Sequence, residues 1–123
     1  MNTSLEITLF ERTFKVEALT IGHIMGIEAR KSELSRGQYG QISSSRLLVQ
    51  SVALDLIDSL ASVLTLFPAF SKDLQVDNVL DIPADKCSEL LKVYQKEMAP
   101  WYFGWIKILS GIEDKEDKQE GKQ

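Results

Sequence analysis

The sequence predicts a mainly α (α+β) protein, with a short N-terminal β-hairpin followed by a bundle of about four to five helices. Three observations carry this. Leu5, Ile7 and Leu9, then Phe14, Val16 and Ala18, occupy alternate positions on either side of a short turn, the period of two that marks strands. Ile21, Ile24, Ile27 and Leu34 follow at helical spacing, as one face of an amphipathic helix requires. Further on, a long apolar segment from Leu47 to Phe67 confines its polar residues to a stripe, again at helical spacing.

In chain order, the hairpin is expected over residues 5–18, with Phe10-Glu11-Arg12-Thr13 as its turn. Thr20 is the expected N-cap of the first helix, since its hydroxyl can accept from an unpaired N–H of the first turn. Arg36-Gly37-Gln38-Tyr39-Gly40 and Ser43-Ser44-Ser45 predict a loop or mobile segment, one of the serines capping the next helix. That helix carries Leu48, Val52, Leu56, Ile57, Leu60, Val63 and Leu64. An apolar arc this wide predicts burial on most sides, part of it open to a partner chain because one small domain offers few neighbours.

From Pro68 to Ile82 the pattern weakens. Ala69-Phe70 and Leu74 suggest one short helical turn and Val79-Leu80 another. Pro83 suits the first turn of a third helix, where its missing N–H costs nothing. Cys87, Leu90, Leu91, Tyr94 and Met98 share one face of that helix. Pro100 is expected to end or kink it. Trp101-Tyr102-Phe103-Gly104-Trp105 then opens a terminal helix, on which Trp101 and Trp105 share a face with Ile108 or Leu109. Residues 1–112 thus form one expected globular domain, helical over 20–109. Residues 113–123 read as a disordered charged tail, because nothing apolar follows Ile112 to offset the entropy of ordering.

Composition narrows the function. The net charge is −4 and the pI about 5.0, against the basic excess that phosphate neutralisation demands of a nucleic-acid binder. Cys87 is the single cysteine, so no intrachain disulfide forms. Met1 to Ser4 lacks the Lys or Arg of a signal peptide, and the expectation is a cytoplasmic protein. Leu47 to Phe70 is the one candidate membrane span, but Asp55 and Asp58 sit in its middle, each costing about 2.5–3.5 kcal/mol at a bilayer centre. A buried helix of a soluble protein is the expected reading.

Residues suited to catalysis are few. His23 is the only histidine, placed in a helix first turn, and no second His or Cys completes a zinc site with it and Cys87. Gly37-Gln38-Tyr39-Gly40 lacks the spacing, lysine and preceding strand of a phosphate loop. Asp55 and Asp58 share a helix face, as paired carboxylates in acid–base or cation sites do. Ser51, Ser59 and Ser62 continue the same stripe, however, which makes it read as a solvated face. Asp81 and Asp85 flank Pro83 as charges favoured by a helix N-terminus. No catalytic residue, metal or cofactor is predicted.

The order of elements and certain short words resemble a known group. A hairpin precedes ALTIGHIMGIEARKSEL at 18–34, then come a polar Gly-containing loop, a long apolar helix and IPADKCSELLKVYQKEMAPWYFGW at 82–105. This pattern, with Leu19-Thr20, Gly22 and Ile27-Glu28 at the matching step, resembles the small tail assembly chaperones of long-tailed bacteriophages. The resemblance covers most of residues 5–109. It implies a helical, non-catalytic protein that binds the helical tape-measure protein and keeps it soluble while tail-tube subunits polymerise. It also implies self-association, location in the host cell cytoplasm and absence from the mature virion. Many such genes add a frameshifted longer product that engages the tail-tube protein; Glu120-Gly121-Lys122 is encodable as GAG-GGA-AAG, which contains a slippery heptamer.

The expected contact surface combines Trp101, Tyr102 and Trp105 with Val52, Leu56 and Leu60 of the apolar helix. The first reading of the aromatic rings is a terminal helix plugging the core; the sharper one is an interface anchor, since Trp and Tyr supply much of the energy at protein interfaces, and both can hold for different rings. The alternative function is a different adaptor or interaction module of phage morphogenesis, with one defined partner and no preference for tape-measure helices.

Overall fold

The computed structural model describes residues 2–73 and 79–111; the expected disordered tail and Leu74 of the expected turn lie outside them. The chain is mainly helical, with one antiparallel hairpin at its start. Strands β1 (Leu5–Leu9) and β2 (Arg12–Val16) pair in the register Leu5↔Val16, Ile7↔Phe14 and Leu9↔Arg12. The alternation holds as far as Val16, for Leu5, Ile7, Leu9, Phe14 and Val16 are all buried, but β2 ends there and Ala18, expected on the same face, is exposed outside the strand. The turn is tighter than the sequence suggested: only Phe10 and Glu11 form it, both left-handed at φ 54° and 65°. This backbone suits a two-residue hairpin but is disfavoured for residues with a Cβ. Packing compensates. The Phe10 N–H donates to a Glu89 carboxylate oxygen at 2.7 Å, and its ring stacks near Phe70 and beneath Lys86.

Helix α1 (Ile21–Leu34) opens on Thr20, whose Oγ1 accepts from the His23 N–H while His23 Nδ1 accepts from the Thr20 N–H, both at 3.1 Å. His23 is therefore a capping residue, taking the part a Glu or Gln plays in the usual capping box. Helix α2 (Tyr39–Ser43) occupies the segment expected to be loop. Helix α3 (Leu48–Leu66) follows without the serine cap: Ser45 Oγ accepts from Leu47 N–H, while Ser43 and Ser44 bond back to carbonyls of their own turn. Helix α4 (Ala69–Asp73) and a 3₁₀ turn at Val79–Asp81 come next, then α5 (Ala84–Val93) behind Pro83.

Pro100 does not end the third long helix. A π-helical turn at Tyr94–Met98 links α5 directly to α6 (Ala99–Ser110), so residues 84–110 run as one continuous helical segment. The irregularity a proline imposes, having no N–H and crowding the carbonyl four residues back, is absorbed upstream. There the Ala99 N–H reaches to the Tyr94 carbonyl across the wider turn. Gly111, at φ 76°, closes α6.

Helix α1 runs antiparallel to α3, with Gly26 against Thr65 and Lys31 against Asp58. Two consequences follow. Ile21, expected on the buried face, falls past the end of α3 and is exposed. At the other end α1 stops at Leu34, and the first turns of α3 extend beyond it, with short α2 packed against α3. The core lies around the second half of α3, where Leu60, Ala61, Val63, Leu64 and Leu66 meet the hairpin, Phe67, Phe70, Leu90 and Met98.

Candidate functional site

Burial of α3 changes along its length rather than around it, contrary to the expectation of burial on most sides. Residues 59–64 are buried, yet Leu47, Leu48, Val49 and Val52 remain 66%, 79%, 79% and 43% exposed. Val49 lies one turn before Ala53, and Val52 one turn before Leu56, so the exposed residues share faces with the next turn. Ala53, Leu56, Ile57 and Leu60 then floor an apolar groove of about 230 Å³, walled by Ile82 and Cys87 and by Leu34 of α1. From Val49 to Leu60 the apolar strip is about 16 Å long at 1.5 Å per residue.

The six residues expected to form a contact surface divide. Val52 is exposed, and Leu56 and Trp105 are half-buried. Leu60, Trp101 and Tyr102 are buried, which corrects their expected place on a free surface: they are core. The indole N–H groups of Trp101 and Trp105 both donate to the Asn2 carbonyl, at 3.1 and 3.0 Å, so the aromatic cluster pins the N-terminal segment. Phe103, Ile108 and Leu109 are the exposed apolar residues of α6.

The polar stripe of α3 is also corrected. Ser59 and Ser62 are buried, and the Asp58 carboxylate faces inward, where it accepts from the Tyr39 hydroxyl at 2.6 Å and lies 3.7 Å from Lys31 Nζ. Lys31 also pairs with Glu28 at 3.1 Å and sits over the Tyr39 ring. Burial raises the Asp58 pKa, against the opposing pull of Tyr39 and Lys31. Burial likewise holds the Tyr39 and Tyr94 phenols well above their ordinary range, each reinforced by the Asp58 charge. Tyr39, Asp58, Lys31 and Glu28 bind one another and join α1, α2 and α3, which is a structural role.

Among the described residues no group of three or more His, Cys, Asp or Glu is placed to hold a metal ion. Cys87 borders the groove with its thiol directed at the Ile82 carbonyl, 3.6 Å away, and burial pushes its pKa up, away from the thiolate a nucleophile needs. Among the described residues one helix, α3, is long and apolar enough to cross a membrane by length and composition, and a third of it is buried within the fold.

The sequence did not point to Leu34, Ile82 and Cys87 as groove residues. Each belongs to a different element, and only helical spacing at Leu56 and Ile57 hinted at one wall. No protein-family model, curated protein or solved structure matches the chain.

Proposed function

We propose that this chain is a non-catalytic assembly chaperone that binds apolar helical segments of a phage tape-measure protein and keeps them soluble while the tail tube forms. The observation that carries the reading is the apolar strip of α3, exposed at Leu48, Val49 and Val52 and running into the groove floored by Leu56 and Ile57. An apolar face of this length matches the stripe that an amphipathic or apolar helix presents at i, i+3, i+4 and i+7. An acidic body around it favours solubility of the complex. The pattern of elements and short words shared with tail assembly chaperones supplies the identity of the partner. The chaperone acts in the host cytoplasm and is left out of the finished virion.

Co-expression tests this. A tape-measure protein encoded beside this gene is expected to be soluble when co-expressed with the wild-type chain and to aggregate with Val52→Asp/Leu56→Asp. A partner that aggregates equally in both cases removes the proposal. Sequencing the 3′ end of the gene checks the codons at Glu120-Gly121-Lys122 for the slippery heptamer.

A further inference from the structure

We infer that the groove is built for a helix that is apolar along one face and acidic at the end lying against Arg30 and Arg36. This rests on the reading of the groove as a helix receptor and adds the chemistry and placement of the occupant.

The apolar groove does not stop at Leu60. It adjoins a second cavity of about 390 Å³, and the two share Leu34, Val79 and Leu80 as walls. The second cavity has a different character, since Arg30, Glu33 and Arg36 stand around it beside Leu64 and Pro68. The surface thus runs from the exposed apolar side chain of Val49 to the end near Leu64 where Arg30 and Arg36 stand, over about 22 Å at 1.5 Å per residue.

The chain carries a net charge of −4, yet among the described residues lining this cavity two arginines stand beside one acid. Both side chains are exposed, and no ion pair joins either to another described residue. Arg36 has a left-handed backbone at φ 55°, a conformation disfavoured for a residue with a Cβ. The turn that closes α1 imposes it, with the Gly37 N–H bonded to the Ser32 carbonyl at 2.8 Å. Arg36 lines the cavity beside Arg30, and a guanidinium fork matches a carboxylate.

The shape selects a helix over a small molecule. Small-ligand sites enclose most of the ligand, whereas Leu80 in the shared wall is 58% exposed and the strip continues onto exposed Val52 and Val49. An open trough of this length takes side chains presented from a rod.

The test uses fluorescent synthetic helices of about 20 residues, with Leu and Ala on one face, Gln elsewhere, and a terminal turn carrying Glu, Gln or Lys. Anisotropy titrations with the full chain at about 50 mM salt are expected to show the Glu probe binding about tenfold tighter than the Lys probe, a preference that shrinks at about 500 mM salt. Arg30→Glu/Arg36→Glu is expected to reverse the order, a swap that unfolding cannot produce, and Val52→Asp to weaken all three probes. Equal binding of the three probes, or an unchanged order in the double variant, overturns the inference. So does displacement of the probes by stoichiometric oleate without discrimination among them, which assigns the groove to a small amphipathic anion. Charge preference with an insoluble tape-measure partner upholds the inference and removes the chaperone reading; capture of the partner without charge preference does the reverse.

Discussion

The Tyr39 hydroxyl donates a 2.6 Å hydrogen bond to the Asp58 carboxylate, and through it the short helix α2, which buries no residue of its own, is fastened to α3. Tyr39→Phe is expected to cost about 1.5–3 kcal/mol, the range for a hydrogen bond to a charged acceptor. Urea unfolding measures the loss, and faster amide exchange over residues 39–43 would locate it in α2.

The same carboxylate makes stability depend on pH in an unusual direction. Burial raises its pKa in the folded state, so the folded chain holds this proton more tightly than the unfolded one. Its contribution is greatest below the ordinary aspartate range and is lost as pH rises from there through the raised value. Asp58→Asn, which keeps an acceptor for Tyr39, is therefore expected to gain stability relative to wild type as pH is raised from about 3.5 to about 7. Parallel urea titrations check this; a difference that runs the other way would mean that Lys31 outweighs burial.

Thr65 Oγ1 is buried without a hydrogen-bond partner among the described residues, and its methyl lies 3.0 Å from where a Cβ on Gly26 would stand. Thr65→Val keeps the shape and removes the unsatisfied hydroxyl, so it is expected to stabilise by about 1 kcal/mol. Gly26→Leu has no such room and is expected to destabilise by about 1–3 kcal/mol through overpacking of α1 on α3. Thermal denaturation of the two variants reads both signs.

The two ends of α3 should respond oppositely to substitution. Leu48→Asp and Val49→Asp, at exposed sites, are expected to change stability by less than about 0.5 kcal/mol while reducing partner binding. Leu60→Ala, in the core, is expected to cost about 2–5 kcal/mol. Denaturant midpoints set beside co-expression solubility separate the two effects.

Trp101 and Trp105 share one acceptor, the Asn2 carbonyl. Removing the first few residues leaves the buried Trp101 N–H unpaired, for an expected cost of about 1–3 kcal/mol and a red shift in tryptophan emission. Unchanged emission in the truncated chain would mean that water or another group replaces Asn2.

Local features were the legible ones. Strand alternation at Leu5–Leu9, the Thr20 cap and the face of α5 are written in neighbouring residues, and each occurs where its spacing places it. Helix α2 was not legible, because a Gly-flanked polar segment has no helical signal of its own and is held by Tyr39 reaching to Asp58. The polar stripe misled for a related reason. Serine hydroxyls can bond to their own helix, as Ser59 does to the Leu56 carbonyl at 3.0 Å, so such a stripe is compatible with burial as well as with water. Of the candidate contact residues, Val52 remains exposed, while Leu60, Trp101 and Tyr102 went to the core.

The amino-acid sequence by itself determined the class of fold, the succession of hairpin, α1, α3 and α5, and the residue types of its core, since periodicity and caps act over a few residues. Tertiary structure alone decided which apolar residues stay outside. Helix α1 lies antiparallel to α3 and ends at Leu34, so the first turns of α3 run out beyond their partner. The position where one helix ends against another is a property of the packed pair, and no single segment encodes it.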